Sequence, residues 1–235
     1  MAQNVTLARH GHIATVTLDR PDRRNSLSDG MLTELAAAFA ELRDDAESRV
    51  LIVTGAPPVF SAGADARIKG TMSVAEQRAV FLETKSQFRR LFERATTLLE
   101  GLEQVTIAMI NGHAVGGGWA LTLACDFRFA AAVAQFWIPE VDLGVPLGVA
   151  STTRFVRLVG PARAKEIVME GRRYTAAEAH ALGLVHRVVP GIALEKTVRD
   201  YAEMLAAKPV RPLAEVKARI NAIARTGIPE VSAMT

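Results

Sequence analysis

The sequence predicts an α/β fold in one domain, followed by a mainly helical C-terminal portion. Short β-forming runs alternate with helical patterns up to about residue 138, and helical patterns dominate from Ala150 onward. The 235 residues suit one large α/β domain or two small ones, and neither a linker nor an internal repeat divides them. Hydrophobic residues make up 49% of the chain and aromatic residues only 6%, so the core is expected to consist mainly of Ala, Val and Leu.

The N-terminal elements are predicted to be a hairpin, a capped helix and a buried strand. Residues 5–9 and 13–18 hold β-forming side chains on either side of the turn-like His10-Gly11-His12. Ser28 can cap a helix whose apolar side chains recur at helical spacing: Leu32, Leu35, Phe39 and Leu42. Residues 50–53 form a short apolar run that ends before Gly and Pro, which is typical of a buried strand.

The middle of the chain is predicted to continue this alternation. Ser73 and Glu76 have the spacing of a capping box and open a long helix towards Leu99. Residues 105–110 form another buried strand, and Gly116-Gly117-Gly118 then opens a helical run that reaches Cys125. Further strands are expected at 127–131, 136–138 and 185–189, and a second capping box at Thr175 and Glu178.

Charge and composition argue against the nucleic-acid-binding, membrane and secreted classes. The net charge of +3 suits an anionic small molecule as well as it suits nucleic acid, but the basic residues are scattered without a dense aromatic-interleaved stripe, so nucleic-acid binding is not expected. The apolar runs are too short to span a membrane, and the N-terminus has no basic segment followed by an apolar one. The single Cys125 forms no internal disulfide and fits a reducing cytosol, so a cytoplasmic location is predicted.

Two glycine-containing segments directly follow buried strands, at residues 60–65 and 113–119. Small residues at a strand end let a ligand approach the backbone closely. The glycines at 116–118 also lie where a helix begins, so their N–H groups lack helical partners and suit an oxyanion or a phosphate. The alternative interpretation is that these glycines only allow tight packing between strand and helix.

Other catalytic patterns are missing, which leaves the carboxylates. The glycines fit neither the dinucleotide fingerprint nor a P-loop, no nucleophile elbow is present, and the five histidines show no metal spacing. Cys125 falls on an apolar helical run and is more typical of a core residue than of a nucleophile. Glu140 follows Phe136-Trp137-Ile138-Pro139, and Trp137, Ile138 and Val141 are expected to desolvate it and raise its pKa, as a general base near neutrality requires. Its other interpretation is a surface acid after a proline.

Taken together, five segments resemble the crotonase (enoyl-CoA hydratase/isomerase) family in order along the chain. They are Val-Thr-Leu-Asp-Arg-Pro with the Asn-Ser-Leu that follows, Phe-Ser-Ala-Gly-Ala-Asp, Asn-Gly-His-Ala-Val-Gly-Gly-Gly, Pro-Glu-Val-Asp-Leu-Gly and the helical stretch from Arg157 through Val185, which contains Thr-Ala-Ala-Glu-Ala-His-Ala-Leu-Gly-Leu-Val. The likeness runs from about Val5 to Pro190. It implies a repeated ββα spiral core at 1–190 and a helical C-terminal trimerisation segment at 191–235, shorter than is usual for the family. It also implies a homotrimer or a dimer of trimers.

The resemblance further implies an acyl-CoA site that stabilises a thioester enolate. The N–H groups of Ala64 and Gly117 would bind the thioester oxygen, and Glu140 would move the substrate proton. The CoA-binding and substrate-binding positions would be Arg23, Arg24, Ala62, Asp65, Ala66, Gly116 and Gly148. No metal and no cofactor are expected beyond the coenzyme A of the substrate itself.

One departure from the family pattern bears on the reaction. Hydratases of the family carry a second glutamate one helical turn after the oxyanion glycine, and here that position is Ala120. Hydration needs two carboxylates around a water, whereas moving a double bond needs one, so the sequence favours a 3-enoyl to 2-enoyl isomerase. A hydratase in which Asp142, Asp65 or Glu83 replaces the missing acid stays open, and so does a non-catalytic acyl-CoA-binding subunit. Acyl length and branching are not indicated.

Overall fold

The computed structural model describes residues 3–65 and 73–226, apart from the side chains of residues 74, 77, 78 and 80–85. Nine strands and seven helices lie in this part of the chain. The strands are β1 Val5–His10, β2 Ile13–Leu18, β3 Val50–Gly55, β4 Val105–Ile110, β5 Ala114–Val115, β6 Phe127–Ala131, β7 Gln135–Trp137, β8 Tyr174–Thr175 and β9 Arg187–Val189. The helices are α1 Asp29–Arg43, α2 Val74–Glu100, α3 Gly117–Thr122, α4 Val149–Glu170, α5 Ala176–Ala181, α6 Gly191–Ala206 and α7 Val210–Arg225.

Six strands form one large sheet in the order β1-β2-β3-β4-β6-β9. The β1–β2 hairpin is antiparallel, and all other neighbours in this sheet are parallel. A second sheet of three short strands has the order β5-β7-β8. Because β3 and β4 are parallel neighbours, the loops that follow them leave the sheet at the same edge.

Most predicted elements are confirmed, including the hairpin and the three helix caps. Ser28 caps α1, and capping boxes at Ser73 and Thr175 open α2 and α5. The strands β5 and β8 were not predicted, because two-residue strands carry no readable period. The expected helical run to Cys125 was wrong: α3 ends at Thr122, and the buried Cys125 follows it in a turn rather than lying on the helix.

Alternate side chains of the central strands enter two separate cores. Leu51 and Val53 of β3 point into the larger core with α1, α2 and α3, while Val50 and Ile52 point to the opposite face. On that second face the sheet packs against α6, the helix that follows the predicted boundary at residue 190. None of the described helices combines the length and the apolar character needed to cross a membrane.

The loops after β3 and β4 contact each other so closely that only glycine fits at several positions. Ser61 pairs with Ala114 as an isolated bridge, and the N–H of Val115 donates to the Ser61 carbonyl over 3.0 Å. A Cβ added to Gly118 would lie 2.7 Å from both the Cβ and the carbonyl oxygen of Ser61. A Cβ on Gly63, whose φ is +85°, would lie 2.6 Å from the Val115 carbonyl oxygen. Tight packing, the alternative interpretation of these glycines, is therefore one of their roles.

Replacing Gly118 or Gly30 by alanine should change the free energy of unfolding in opposite directions, although each glycine is the second residue of its helix. Gly118 and Gly30 are each the second residue of their helix, but a Cβ on Gly30 would meet no atom closer than 3.6 Å. We expect Gly118→Ala to lower the free energy of unfolding by about 1–3 kcal/mol through overpacking. Gly30→Ala should raise it by roughly 0.4–1 kcal/mol, because alanine restricts the unfolded chain. Urea unfolding measures both, and a shift of the same sign in both variants would contradict the close contact.

Candidate active site

A small cavity of about 60 Å³ lies where the two strand-end loops meet α2 and the beginning of α4. Four of the residues predicted for the site line it: Ala64, Gly117, Glu140 and Gly148. The facing wall comes from α2 and α4, with Phe88, Arg89, Phe92, Glu93, Ala150 and Ser151. The structure therefore brings together residues from four regions that are distant in the sequence.

The backbone around Ala64 and Gly117 leaves two N–H groups without a partner. Ala64 lies between two hydrogen bonds of Leu27, whose N–H donates to the Gly63 carbonyl over 2.7 Å and whose carbonyl accepts from the N–H of Asp65 over 3.0 Å. The N–H of Ala64 itself, and that of Gly117 at the first position of α3, find no acceptor among the described residues. Since backbone donors in folded proteins are normally paired, two free N–H groups at one cavity can bind a ligand oxygen.

Gly63 lies between the two free donors, and a Cβ there would collide with the Val115 carbonyl oxygen at 2.6 Å. A Cβ at Gly63 would lie 3.5 Å from the Gly117 nitrogen, so the loop that carries Ala64 runs directly past the start of α3. The helix has six residues and is too short to contribute a large dipole. The capacity to bind an oxygen therefore lies in the two N–H groups themselves, which have no acceptor among the described residues.

Glu140 lies against the same loop. The N–H of Gly116 donates to the Trp137 carbonyl over 2.9 Å, which joins the end of β7 to the loop before α3. Gly116 has φ +49°, and a Cβ there would lie 2.7 Å from Oε1 of Glu140. The absence of that side chain lets the carboxyl group approach the backbone next to Gly117.

Burial raises the pKa of Glu140 to about 7. Its Oε2 atom is buried and has no hydrogen-bond partner among the described residues. Phe88 and Phe92 of α2 supply apolar lining of the cavity, Ile138 is fully buried, and Val141 is 43% exposed. That Trp137, Ile138 and Val141 desolvate the acid stays a prediction. With a pKa near neutrality, Glu140 can both accept and return a proton.

Ala120 is fully buried in the core and does not belong to the residues that line the cavity. It follows Trp119, whose ring packs against Phe136, Phe155 and Tyr174. In the described part of the site, α3 therefore contributes a backbone donor and no acid.

The predicted CoA-binding turn lies beside the loop of Ala64. Arg23 and Arg24 are exposed, and the Arg24 carbonyl accepts from the N–H of Ala62 over 2.9 Å. The N–H groups of Ala62 and Asp65 are thus engaged within the chain, and a ligand there would meet other atoms of these residues. Ala66, also predicted for this role, lies outside the described residues. The CoA role of all these positions stays a prediction.

None of the three acids considered as replacements for the missing carboxylate is found among the described residues that line the cavity. Asp65 pairs with Arg20, with 2.9 Å between carboxylate and guanidinium. Asp142 is exposed, and a Cβ on Gly171 would lie 2.7 Å from its carboxylate. The side chain of Glu83 is outside the described residues.

Glu93 also lines the cavity, and the sequence analysis did not predict it. Helical periodicity alone did not show which face of α2 would reach the cavity.

A larger cavity of about 360 Å³ lies between α4 and α7, and none of the predicted site residues lines it. Its walls include Glu100, whose carboxylate pairs with Arg154 and Arg157, each at 2.8 Å. Size alone would select this cavity as the binding site. The buried acid and the free donors indicate the smaller one.

Known proteins are similar to this chain in both sequence and fold. Residues 8–234 match the family model described as enoyl-CoA hydratase/isomerase. The chain is 36% identical over 203 residues to a short-chain-enoyl-CoA hydratase of Clostridium acetobutylicum, which covers 86% of this chain and 75% of that protein.

Solved structures of proteins named as hydratases and of proteins named as isomerases have the same fold as this chain. An enoyl-CoA hydratase from Bacillus anthracis superposes with a TM-score of 0.85 at 36% identity, covering 93% of this chain and 83% of that one. A monofunctional enoyl CoA isomerase from M. smegmatis superposes with a TM-score of 0.80 at 30% identity and covers all of both chains. The choice between the two reactions therefore depends on the residues of the site.

The buried Glu140 should make stability depend on pH in a defined direction. Its pKa is about 7 in the folded chain and near 4.5 when exposed, so the folded state binds the extra proton between these values. The contribution of the protonated Glu140 to the free energy of unfolding is then fully present below pH 4.5 and is lost as the pH rises through 7. Relative to Glu140→Gln, the wild-type chain should lose about 3 kcal/mol of unfolding free energy across this range. Urea unfolding of both proteins between pH 4.5 and 8 measures the difference, and two parallel pH curves would contradict the burial of the acid.

Proposed function

The chain belongs to the enoyl-CoA hydratase/isomerase family and has the crotonase fold, and from this premise we propose that it is an enoyl-CoA isomerase. It would move a double bond from the 3 to the 2 position of an acyl-CoA thioester. The observation that carries the proposal is the arrangement of one buried carboxyl group, Glu140, beside two free N–H donors, with an alanine at position 120.

In this proposal Ala64 and Gly117 bind the thioester oxygen. When a proton leaves C2, negative charge moves onto that oxygen, and the two N–H groups stabilise it without having to reorganise. Removing one such donor from an enzyme typically costs about 3–4 kcal/mol of transition-state stabilisation. The free state of both donors supports this role.

Glu140 is the base in the proposed reaction. Its carboxylate takes the proton from C2 and forms a dienolate, in which C4 becomes basic. A proton then bonds to C4, the double bond is left between C2 and C3, and the thioester carbonyl re-forms. A pKa of about 7 for Glu140 suits both halves of this cycle.

Hydration is the second candidate, because the relatives include proteins named hydratases. A hydratase must hold a water molecule and protonate the acyl chain. By the resemblance to hydratases of the family, these two steps need a carboxylate at position 120. The methyl group of the buried Ala120 can do neither. A test must therefore compare both substrates.

Arg23 and Arg24 are proposed to contact the phosphates of coenzyme A. Both are exposed on the turn whose Arg24 carbonyl is hydrogen-bonded to Ala62, two residues before Ala64. Basic side chains at this place bring an anionic carrier close to the oxyanion donors. The protein itself would supply no metal or further cofactor to the reaction.

Replacing Glu140 should separate catalysis from binding. Glu140→Gln keeps the shape of the side chain and removes the base, so we expect turnover of 3-enoyl-CoA to fall at least about a hundredfold with nearly unchanged CoA affinity. The matched control is Asp142→Asn, an exposed acid two residues away, which should stay within twofold of wild type. Steady-state assays with 3-enoyl-CoA and 2-enoyl-CoA of several chain lengths measure both reactions. Isomerisation that survives Glu140→Gln, or hydration that exceeds isomerisation in the wild type, would contradict the proposal.

We also propose that the chain assembles as a homotrimer or a dimer of trimers. No residue of α7 is buried, although the helix carries apolar side chains that are 47–68% exposed: Val210, Val216, Ile220 and Ile223. Such an apolar surface is typical of an interface.

Light scattering should therefore give a mass three or six times the 25.3 kDa of the chain. Ile220→Glu places a charge on the apolar surface of α7 and should shift the mass towards the monomer. The neighbouring exposed Arg219, changed to Gln, should leave it unchanged. A wild-type protein that stays monomeric at micromolar concentration would exclude this assembly.

A further inference from the structure

We propose that Glu93 of α2 is the second proton-carrying residue of this site and delivers the proton to C4 of the acyl chain. The inference rests on the isomerase function proposed above and assigns one of its two proton transfers. Glu93 would thus supply from α2 what Ala120 does not supply from α3.

Helix α2 lies directly over the oxyanion loop. A Cβ on Gly117 would be 3.6 Å from Phe88 and 3.7 Å from Phe92, so both rings reach the backbone of that residue. The two rings stack on each other with 5.8 Å between centroids and an interplanar angle of 16°. This face of α2 is therefore one wall of the space that an acyl chain bound at Gly117 would enter.

Glu93 follows Phe92 on this wall. It is half-buried and lines the same cavity as Glu140, Ala64 and Gly117. Its carboxylate forms no hydrogen bond and no ion pair with any described residue, whereas Asp65 is paired and Asp142 lies outside the cavity lining. The carboxylate oxygens of Glu93 are not among the buried unpaired atoms, so they reach water and can exchange protons with it while facing the cavity.

The two carboxyl groups come from different sides of the cavity. Glu140 follows β7 and lies against Gly116, beside the donors, while Glu93 belongs to the helical wall opposite. A thioester held at Ala64 and Gly117 has its C2 next to Glu140, and its chain then continues along α2. C4 lies two bonds further along the chain than C2, so the acid on α2 is suited to reach it.

The proposed step balances with groups present in the site. Ionised Glu140 takes the proton from C2, and the electrons of that C–H bond form the dienolate. Glu93 passes a proton that it has taken up from water to C4, the double bond moves to C2–C3, and the thioester carbonyl re-forms. Glu140 ends protonated and Glu93 ionised, and exchange with water returns both to the starting state. Arg89 also lines the cavity.

An isotope experiment separates one proton carrier from two. We would use 3-hexenoyl-CoA that carries deuterium at C2 and measure by mass spectrometry how much of the label reaches C4 in the 2-enoyl product. With two carriers, the wild type should place solvent hydrogen at C4 and transfer almost no label. Glu93→Gln should lower kcat at least about tenfold with a KM within about twofold, and its remaining turnover should carry label from C2 to C4 through Glu140 alone.

Two further variants test whether Glu93 acts through its carboxylate. Glu93→Asp retains the acid and should recover part of the kcat and the low label transfer. Arg90→Gln changes an exposed residue of the same helical region and should match the wild type. A kcat of Glu93→Gln within threefold of wild type overturns the proposal. A lower kcat with an unchanged label distribution also overturns it, since a structural loss alone does not alter the route of the proton.

A second measurement, the exchange of α-protons with solvent, distinguishes a failure of the role of Glu93 from a failure of the proposed function. Exchange of the C2 protons of hexanoyl-CoA in heavy water requires Glu140 and the oxyanion donors, so Glu140→Gln should abolish it and Glu93→Gln should retain it. A wild type that exchanges and isomerises, with Glu93→Gln unaffected in both, overturns the role of Glu93 alone. A wild type that does neither overturns the proposed function and the role of Glu93 together.

Discussion

The site depends on the close contact between the loops that follow β3 and β4. The two strands are parallel neighbours, so both loops leave the sheet at one edge, and glycines let the backbones touch where a side chain would collide. A Cβ on Gly112 would lie 2.4 Å from the Pro58 carbonyl oxygen, and the positions of Gly63 and Gly118 are similarly restricted. This contact brings together Ala64 and Gly117, whose N–H groups have no acceptor among the described residues. The cavity lies where these loops meet α2, α4 and Glu140.

The site brings two kinds of unpaired group to one cavity, a buried carboxyl oxygen and two backbone donors. Other buried side-chain atoms of the described part of the chain also lack a partner, among them Nε1 of Trp119 and the hydroxyl of Tyr174, but these belong to the core. Away from the cavity, the half-buried Asp65 has its guanidinium partner, and Glu100 holds two arginines at 2.8 Å. In the cavity, Oε2 of Glu140 and the two backbone donors have no partner among the described residues. An unpaired buried group lowers stability, and a substrate that pairs with it recovers that free energy on binding. A carboxyl group with a raised pKa beside unpaired donors in one cavity is the combination that makes this cavity the candidate site.

Much of this arrangement was predictable from the sequence, because periodicity, caps and glycine clusters act locally. The Ser28 cap, the strand before residue 55 and the apolar surroundings of Glu140 each leave a pattern in a short window. The face of α2 that covers Gly117 leaves no such pattern, since periodicity shows which side chains are apolar but not what they contact. Glu93 was missed for this reason. In the same way, the engaged N–H groups of Ala62 and Asp65 depend on turn geometry that residue types alone do not reveal.

The parallel pairing of β3 and β4 also determines when the site forms during folding. A crossover that contains the 27-residue α2 separates the two strands, so the chain must close a long loop before their following segments can meet. Contacts between distant parts of a sequence form slowly and late compared with hairpins and helices. The hairpin of β1 and β2 and the capped helices can therefore precede the site. A nascent or partly folded chain would possess much of its secondary structure before the loops of Ala64 and Gly117 meet beside Glu140, and the candidate site would be complete only once the sheet is complete.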